Sequence, residues 1–293
     1  MVIRNMTARK FLFLCAAQLA GLSFAQAAAE THRIALVQFD SVPEQNVRNV
    51  ESIARLATTA ARQGAKIIMF HEVAVTDYVG DVEKFSEEVP TGPACKSIEA
   101  LAKTLGVYIS FGISEKTDDK RYYITQVFMG PQGFVYKYRK TWINRGPSIG
   151  DGVAGDNGYR NEHARYDCGT GPEIFWIGGL RATCFICADA GAQRCIDRAR
   201  LLAPDIVFFP NNRASYLGRR GSFLKIAAEI GAPVLVANRV GKSWMHDCKG
   251  GCAFIGASGE VLANTSLGAK EEILIFDLSV EKRGGSSASA ERP

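Results

Sequence analysis

The chain has 293 residues, of which 47% are hydrophobic and 22% are charged, and its formal net charge is +5 at pH 7. This composition excludes an intrinsically disordered chain, and the length is enough for one large domain or two small ones. The small positive charge provides no basic field of the kind that nucleic acids bind, so we expect no nucleic-acid partner.

The first 27 residues have the pattern of a secretory signal peptide. Three basic residues precede an apolar run that starts at Phe11, and Ala25-Gln26-Ala27 offers a small-residue cleavage site. An uncleaved anchor is the alternative, because the apolar segment is almost long enough to span a bilayer. Two glutamines interrupt that segment, which favours cleavage. Cleavage removes three positive charges and no negative ones, so the net charge falls from +5 to +2.

We therefore predict an exported protein, periplasmic or secreted, with no stable membrane span after processing. The mature chain is expected to begin between Ala28 and Thr31. Intact-mass measurement of protein recovered from cells checks this prediction. Met1 retained on protein in the membrane fraction would instead support the anchor.

From Arg33 onward, short β-branched runs alternate with helical stretches. The sequence predicts strands over 33–39, 66–70, 107–113, 122–129, 134–139, 174–178, 181–187, 205–210, 233–239, 252–257, 259–264 and 272–278. It predicts helices over 44–63, 94–105, 195–202 and 221–230, the first with an apolar stripe of Val47, Val50, Ile53, Ala54 and Ala57.

Several of the predicted strands are consecutive, which favours an α/β fold with mixed rather than purely parallel sheets. No linker interrupts the pattern before the segment at 283–293, which has the composition of a disordered tail. The sequence therefore predicts one domain over residues 28–282.

Polar side chains follow five of the predicted strands. They are His71-Glu72, Arg139-Lys140, Cys187-Ala188-Asp189, Asn211-Asn212 and Asn238-Arg239. In open α/β sheets, ligands bind at the carboxyl ends of the strands. We therefore expect a cleft at these ends, with Asp189, Asn211 and Asn212 as candidate substrate-binding residues.

The three cysteines in the segment 181–195 could form a disulfide, a metal site, a redox pair or a nucleophile. If Cys184 and Cys187 lie in one strand, they are roughly 10 Å apart and on opposite faces. That separation exceeds what a disulfide tolerates, which disfavours a redox pair. The same objection applies to a zinc site with Cys248 and Cys252, and the four histidines lack ligand spacing. We therefore expect no metal.

A nucleophile fits the cysteine pattern better. Cys187 requires a base for its thiol proton and a donor for the oxyanion, and Glu72 and Lys140 could supply them. A peptidase-type Cys–His pair with His71 or His163 as the base is the competing arrangement. No papain-type segment surrounds Cys187.

The chain from 33 to about 278 resembles the nitrilase superfamily, the carbon–nitrogen hydrolases. The resemblance rests on four blocks in the family's order and spacing, "RIALVQFD" with the helix that leads to "IIMFHEVAVTDY", "GPQGFVYKYRKTW", "TCFICADAGAQRCIDRARLLAPDIVFFPNNRAS" and "KIAAEIGAPVLVANRVGKS". It implies a four-layer α-β-β-α sandwich, a homodimer or higher homo-oligomer, and catalysis without a cofactor. It also implies a catalytic triad of Glu72, Lys140 and Cys187, and Glu162 is the candidate for the second glutamate of many members.

Three positions bear on the substrate that the resemblance implies. His71 stands where members often have proline, and Ala188 replaces a usual aromatic residue beside the nucleophile. Asp189 is typical of amidase-type members, whereas nitrilases commonly have glutamate there. The implied function is hydrolysis of a non-peptide carbon–nitrogen bond in a small amide or carbamoyl-type substrate through a cysteine thioester. The alternatives are a nitrilase, an acyl-transferring relative, or a catalytically inactive secreted binding protein on the same scaffold.

Removal of the leader leaves seven cysteines, an odd number that predicts one free thiol, Cys187. The best candidate disulfide joins Cys248 to Cys252, because the intervening Lys249-Gly250-Gly251 can turn sharply. Cys168 could pair with Cys95 or Cys195.

Overall fold

The computed structural model describes residues 30–143, 165–214, 220–243, 247–268 and 270–280. The predicted signal peptide at 1–27, the predicted tail at 283–293 and Glu162 lie outside the described residues. The described chain from Thr31 to Val280 belongs to one compact unit. No helix within these ranges is both long and apolar enough to cross a bilayer.

Five α-helices lie in the described ranges: α1 (Asn46–Arg62), α2 (Val82–Phe85), α3 (Pro93–Leu105), α4 (Gln193–Leu202) and α5 (Arg220–Ile230). Proline at the first turn of α3 has no N–H to leave unbonded, and Gly106 ends that helix in the left-handed conformation. Helix α4 ends at Leu202, and the next residue, Ala203, adopts the same left-handed conformation as Gly106.

The first sheet is mixed and has seven strands. They are β1 (Glu30–Gln38), β2 (Ile67–Met69), β3 (Glu87–Glu88), β4 (Tyr108–Lys116), β5 (Tyr122–Gly130), β6 (Gly133–Arg139) and β15 (Glu272–Val280). The order is β15-β1-β2-β4-β5-β6, with β3 beside β4. β1, β2 and β4 are parallel, and β5 and β6 continue antiparallel.

The second sheet is also mixed and has six strands. They are β7 (Phe175–Ile177), β8 (Leu180–Cys184), β9 (Ile206–Pro210), β10 (Val234–Ala237), β13 (Ala253–Ile255) and β14 (Val261–Asn264), in the order β14-β13-β10-β9-β8-β7. β8, β9 and β10 are parallel. A separate hairpin pairs β11 (Val240–Lys242) with β12 (Asp247–Lys249).

Three hydrophobic clusters separate four layers. Along β1, Ile34 and Leu36 belong to the cluster that also contains residues of the second sheet, whereas Ala35 and Val37 belong to the cluster with α1 and α3. A third cluster joins the second sheet to α4 and α5. Because side chains alternate across a strand, each sheet is buried on both faces. The predicted α-β-β-α sandwich with mixed sheets is confirmed.

Phe128, Phe175 and Phe208 mark the centre of the layer between the two sheets. The Phe128 ring lies 4.5 Å from the ring of Phe175 and 5.1 Å from that of Phe208. Each of these aromatic side chains removes a large apolar surface from water, which stabilises the packing of the two sheets.

The structure differs from the predicted elements at a few places. Val47 is 75% exposed, so the buried stripe of α1 is shifted: Asn49, Leu56 and Ala60 line it with Ile53 and Ala57. The short elements α2, β3, β11 and β12 were not predicted, because fewer than five residues carry no readable periodicity.

No disulfide joins any of the seven cysteines in the described ranges, so the predicted Cys248–Cys252 disulfide is not formed in this structure. Cys248 lies opposite Gly241 in the β11–β12 hairpin. The thiol of Cys252 instead contacts the backbone oxygen of Asn238 at 3.6 Å. The intervening Gly250 bonds the backbone of Arg239, so the turn packs against the loop after β10.

Candidate active site

Glu72 and Lys140 form a fully buried ion pair at the carboxyl ends of two strands in the first sheet. Glu72 lies in the turn after β2, and Lys140 directly follows β6. The lysine Nζ lies 2.7 Å from Oε1 of Glu72, and both side chains are 0% exposed. The Tyr78 hydroxyl donates to the same Oε1 at 3.0 Å. The pairing and the additional hydrogen bond offset the cost of burying the two charges.

Two glycines allow the backbone to approach closely at these residues. A Cβ on Gly112 of β4 would lie 2.1 Å from the backbone nitrogen of Val73, directly after Glu72. A Cβ on Gly169 would lie 2.1 Å from the carbonyl oxygen of Arg139, directly before Lys140. Both distances are shorter than any real contact. Glycine at these two positions is therefore a condition for the observed placement of the glutamate and the lysine.

Cys187 begins a tight 3-10 turn, Cys187–Gly191, rather than ending a strand. β8 ends at Cys184, three residues earlier than the sequence predicted, because the chain turns to place the thiol at the site. The Cys187 φ is +45°, a left-handed conformation that non-glycine residues rarely adopt, and the residue is 8% exposed. Such strained positions cluster at functional sites.

Asp189 connects the turn of Cys187 to the segment of Lys140. Its Oδ1 accepts the backbone N–H groups of Thr141 at 3.1 Å and Trp142 at 2.6 Å. Its Oδ2 accepts the Tyr138 hydroxyl and the Ile186 N–H, each at 2.9 Å. Substrate binding by Asp189 stays a prediction; in the structure this carboxylate is 0% exposed and its oxygens accept four protein donors.

Burial raises the pKa of Asp189 to about 6, although the hydrogen bonds from Ile186, Trp142 and Tyr138 and the charge of Lys140 oppose the rise. The four hydrogen-bond donors keep the carboxylate ionised at neutral pH. Its bonds connect the segment after β6 of the first sheet to the segment after β8 of the second sheet.

Asn211 and Asn212 directly follow β9. Asn211 is fully buried and donates to the Phe209 carbonyl at 2.7 Å. Asn212 is 2% exposed and donates to Asp77 at 2.7 Å. Asp77 also bonds the guanidinium of Arg239 after β10. Substrate binding by the two asparagines stays a prediction; the Asn212 bond joins segments that follow strands of different sheets, whereas the Asn211 bond returns to β9.

Arg213 is the site residue that the sequence analysis missed. Its Nη2 lies 3.0 Å from the Sγ of Cys187. Burial alone would lower the Arg213 pKa, but the charge and hydrogen bond of Cys187 outweigh it, so the pKa is raised; the charge of Glu72 adds to this effect. The signal was present, because Arg213 directly follows Asn211-Asn212 at the end of a predicted strand.

His71 does not fit the competing role of general base. The ring is fully buried against Phe39, with ring centroids 4.8 Å apart, and its Nδ1 lies 2.8 Å from the Glu72 backbone oxygen. Burial, and then the charge of Arg239, lower the His71 pKa to about 3. A group with so low a pKa is a weak base at neutral pH. His163 lies outside the described residues.

Within the described ranges, no three side chains of His, Cys, Asp or Glu converge as a group that could hold a metal ion. The side chains brought together here are a carboxylate, an ammonium, a thiol and a guanidinium. Groups of these types can serve as a proton acceptor, an oxyanion donor and a nucleophile.

Solved structures define the class of the fold. The chain superposes on an amidase from a Nesterenkonia species, a member of the nitrilase superfamily, with a TM-score of 0.71 and 21% identity over 84% of this chain and 90% of that one. A CN-hydrolase superfamily protein from Xanthomonas campestris gives a TM-score of 0.71 with 20% identity over 84% and 91%. The architecture is therefore that of the nitrilase superfamily.

The chain belongs to the carbon–nitrogen hydrolase family, whose sequence profile matches residues 33–285. It is 25% identical over 230 residues to a nitrilase of Pyrococcus abyssi, covering 77% of this chain and 79% of that protein. It is also 25% identical over 270 residues to an N-carbamoylputrescine amidase of Solanum lycopersicum, covering 84% and 86%. The predicted family is confirmed, and the protein is a hydrolase that acts on carbon–nitrogen bonds.

Proposed function

We propose that this enzyme hydrolyses an amide or carbamoyl-type carbon–nitrogen bond of a small molecule through a thioester on Cys187. The observation that carries the proposal is the buried Glu72–Lys140 pair, with a distance of 2.7 Å. The Asp189 carboxylate ties the segment of that pair to the strained turn of Cys187. The bonds of Asp189 thus link the segment that carries the carboxylate–ammonium pair to the turn that carries the thiol.

In the first half-reaction, the Cys187 sulfur attacks the amide carbon while Glu72 takes the thiol proton. The carbonyl oxygen gains the negative charge, and the Lys140 ammonium stabilises it. The carbon–nitrogen bond then breaks as Glu72 passes the proton to the leaving nitrogen. The products of this half-reaction are the thioester and ammonia or an amine.

In the second half-reaction, water attacks the thioester carbon while Glu72 takes a proton from it. The carbon–sulfur bond breaks, and the proton returns to the sulfur. One water is consumed for each amide, and the enzyme regains its starting state. By resemblance to the family, Glu162 would assist near the substrate amide.

The relatives support an amide more than a nitrile. The similar proteins include both a nitrilase and N-carbamoylputrescine amidases. Among the solved structures, a glutamate-to-glutamine mutant of the Nesterenkonia amidase carries the acetamide moiety of fluoroacetamide at its active site cysteine. Asp189, typical of the amidase-type pattern, agrees with this. Export and a homo-oligomeric state, both expected from the sequence, belong to the same proposal.

Ammonia release from purified protein tests the proposal. The panel contains short primary amides, ureido acids and the nitriles of matching carbon skeleton. We expect ammonia from amides or ureido acids and a thioester on Cys187 detectable by mass spectrometry after acid quench. Ammonia from nitriles alone would favour the nitrilase. No turnover of any compound together with no acylation of Cys187 would favour an inactive binding protein.

Glu72→Gln and Lys140→Met are each expected to lower kcat by two to three orders of magnitude. The first substitution removes the proton acceptor, and the second removes the oxyanion donor. Steady-state ammonia release with the best amide measures both effects. Activity within tenfold of wild type in either variant contradicts the assigned role.

A stability control separates chemistry from folding for this pair. Each single substitution leaves one buried charge without its partner, which costs about 3–5 kcal/mol in typical buried pairs. The double variant Glu72→Gln/Lys140→Met removes both charges, so its loss in the free energy of unfolding should be smaller than the sum of the single losses. Its activity should nevertheless stay low.

A further inference from the structure

Arg213 differs from the other arginine that follows a neighbouring strand of the second sheet. Arg239, after β10, is 0% exposed and bonds the carboxylates of Asp40 and Asp77. Arg213, after β9, is partly buried, and no carboxylate of the described residues lies within ion-pair distance of it. Its single side-chain hydrogen bond among those residues is the 3.0 Å contact with the Cys187 sulfur.

Among the described residues, the Arg213 guanidinium has donors to which no acceptor is assigned. Its Nε is buried and has no hydrogen-bond partner among the described residues. The Arg213 backbone is fixed on both sides by Asn238, whose Oδ1 accepts the Arg213 N–H and whose Nδ2 donates to the Arg213 carbonyl, each at 3.2 Å. The guanidinium is therefore positioned by the fold, and a planar group with several donors suits a carboxylate.

The reaction itself changes the charge that faces Arg213. Once Glu72 has taken the thiol proton, the Cys187 sulfur carries a negative charge beside the guanidinium, but the thioester that follows carries none. A partly buried cation that loses its anionic partner is costly unless another anion replaces it. The acyl group remains bonded to the sulfur at this stage, so its substituents lie within a few ångströms of Arg213.

We propose that Arg213 binds a carboxylate on the acyl side of the substrate, so that the enzyme selects monoamides of short dicarboxylic acids. This inference rests on the proposed function and names its substrate class. A carboxylate two or three bonds from the scissile carbonyl reaches the unused donors of the guanidinium. It replaces the lost thiolate charge while the thioester waits for water.

The test compares succinamate with butanamide, which has a methyl group where succinamate has the carboxylate. Wild-type enzyme should hydrolyse succinamate with a kcat/KM at least about 30-fold above that for butanamide, the size expected for a desolvated charge pair. Arg213→Met should reduce this ratio to near one. Arg213→Lys keeps the positive charge but loses the planar arrangement of several N–H donors, so it should give an intermediate ratio.

The control variant is Arg55→Met, which removes an exposed arginine of α1 that pairs with Glu271. It should keep the wild-type ratio. A wild-type enzyme that hydrolyses butanamide as well as succinamate would overturn the inference and leave the proposed function intact. An Arg213→Met variant that loses both activities equally would also overturn it. If no amide is hydrolysed and Cys187 is never acylated, the proposed function fails and the inference fails with it.

A measurement on wild-type enzyme gives an independent readout that does not depend on the folding of a variant. Succinate should slow the alkylation of Cys187 by iodoacetamide, whereas butanol at the same concentration should not. Equal effects of the two compounds contradict a carboxylate site beside the sulfur.

Discussion

Cys187→Ala is expected to abolish turnover while the protein stays folded. The thioester cannot form without the sulfur, and the removal of a catalytic nucleophile typically lowers kcat on the order of a million-fold. The side chain is small and lies at the start of a turn, so we expect the free energy of unfolding to change by about 1 kcal/mol or less. Ammonia release and urea unfolding measure the two quantities on the same preparation.

The matched control is Cys195→Ala, a second buried thiol that lies at the start of α4. It should keep full turnover, because Cys195 packs against the apolar cluster on the outer face of the second sheet. Turnover by the Cys187→Ala variant, or its loss in the Cys195→Ala variant alone, would contradict the assignment of the nucleophile.

Asp189→Asn is expected to damage both stability and activity, although the two side chains have nearly the same shape. Each oxygen of Asp189 accepts two donors. The amide must point its NH2 group at one of these donor pairs, which leaves buried N–H or O–H groups unsatisfied. Each such group costs about 1–3 kcal/mol, so we expect a total loss of roughly 2–5 kcal/mol. Chemical unfolding and ammonia release measure the effects.

Tyr138→Phe serves as the comparison, because it removes only the hydroxyl that donates to Oδ2 at 2.9 Å. It should cost about 1 kcal/mol and keep most of the activity. If Asp189→Asn lowers stability and activity as little as Tyr138→Phe does, the hydrogen bonds of Asp189 do not fix the turn of Cys187 relative to the segment of Lys140.

The same carboxyl predicts a pH dependence with a definite sign. The folded pKa of Asp189 is raised to about 6, above its ordinary value near 4. The folded state therefore binds the proton more tightly than the unfolded state. The resulting stabilisation is fully present below about pH 4 and is lost as the pH rises through about 6, by up to roughly 3 kcal/mol. The difference between wild type and Asp189→Asn, followed from pH 4 to 7, isolates this contribution; no change in that difference would contradict it.

The long strands of the first sheet could be predicted because they are apolar, whereas the four layers were implied only by the resemblance to the nitrilase superfamily. β1, β4, β5 and β15 each have nine residues, and the predicted strands overlap them. The end of β8 could not be placed, because Phe185 and Ile186 continue the apolar pattern beyond the last paired residue. The boundary there depends on tertiary contacts, with Asp189 bonding the Ile186 N–H and closing the turn.

The chemical groups of the site were predictable, but their division of labour was not. Glu72 and Lys140 follow apolar strands, and the structure pairs them, whereas their catalytic roles stay a prediction. Asp189 and Arg213 look alike in sequence, as charged residues after a strand. One has its charge fully engaged inside the protein, and the other faces the sulfur. Only the three-dimensional contacts show that Asp189 bonds protein donors, whereas Arg213 lies beside the Cys187 sulfur.

The proposed catalytic residues follow strands of two different sheets, which has a consequence for how activity is lost on heating. Glu72 and Lys140 follow strands of the first sheet, whereas Cys187 and Arg213 follow strands of the second. Neither sheet carries all four of these residues. A small displacement of one sheet relative to the other would therefore separate them and abolish activity, while most of the helix and strand content is retained. Activity should therefore be lost as soon as the packing between the two sheets around Phe128 loosens. As temperature rises, ammonia release should disappear before the far-ultraviolet circular dichroism changes.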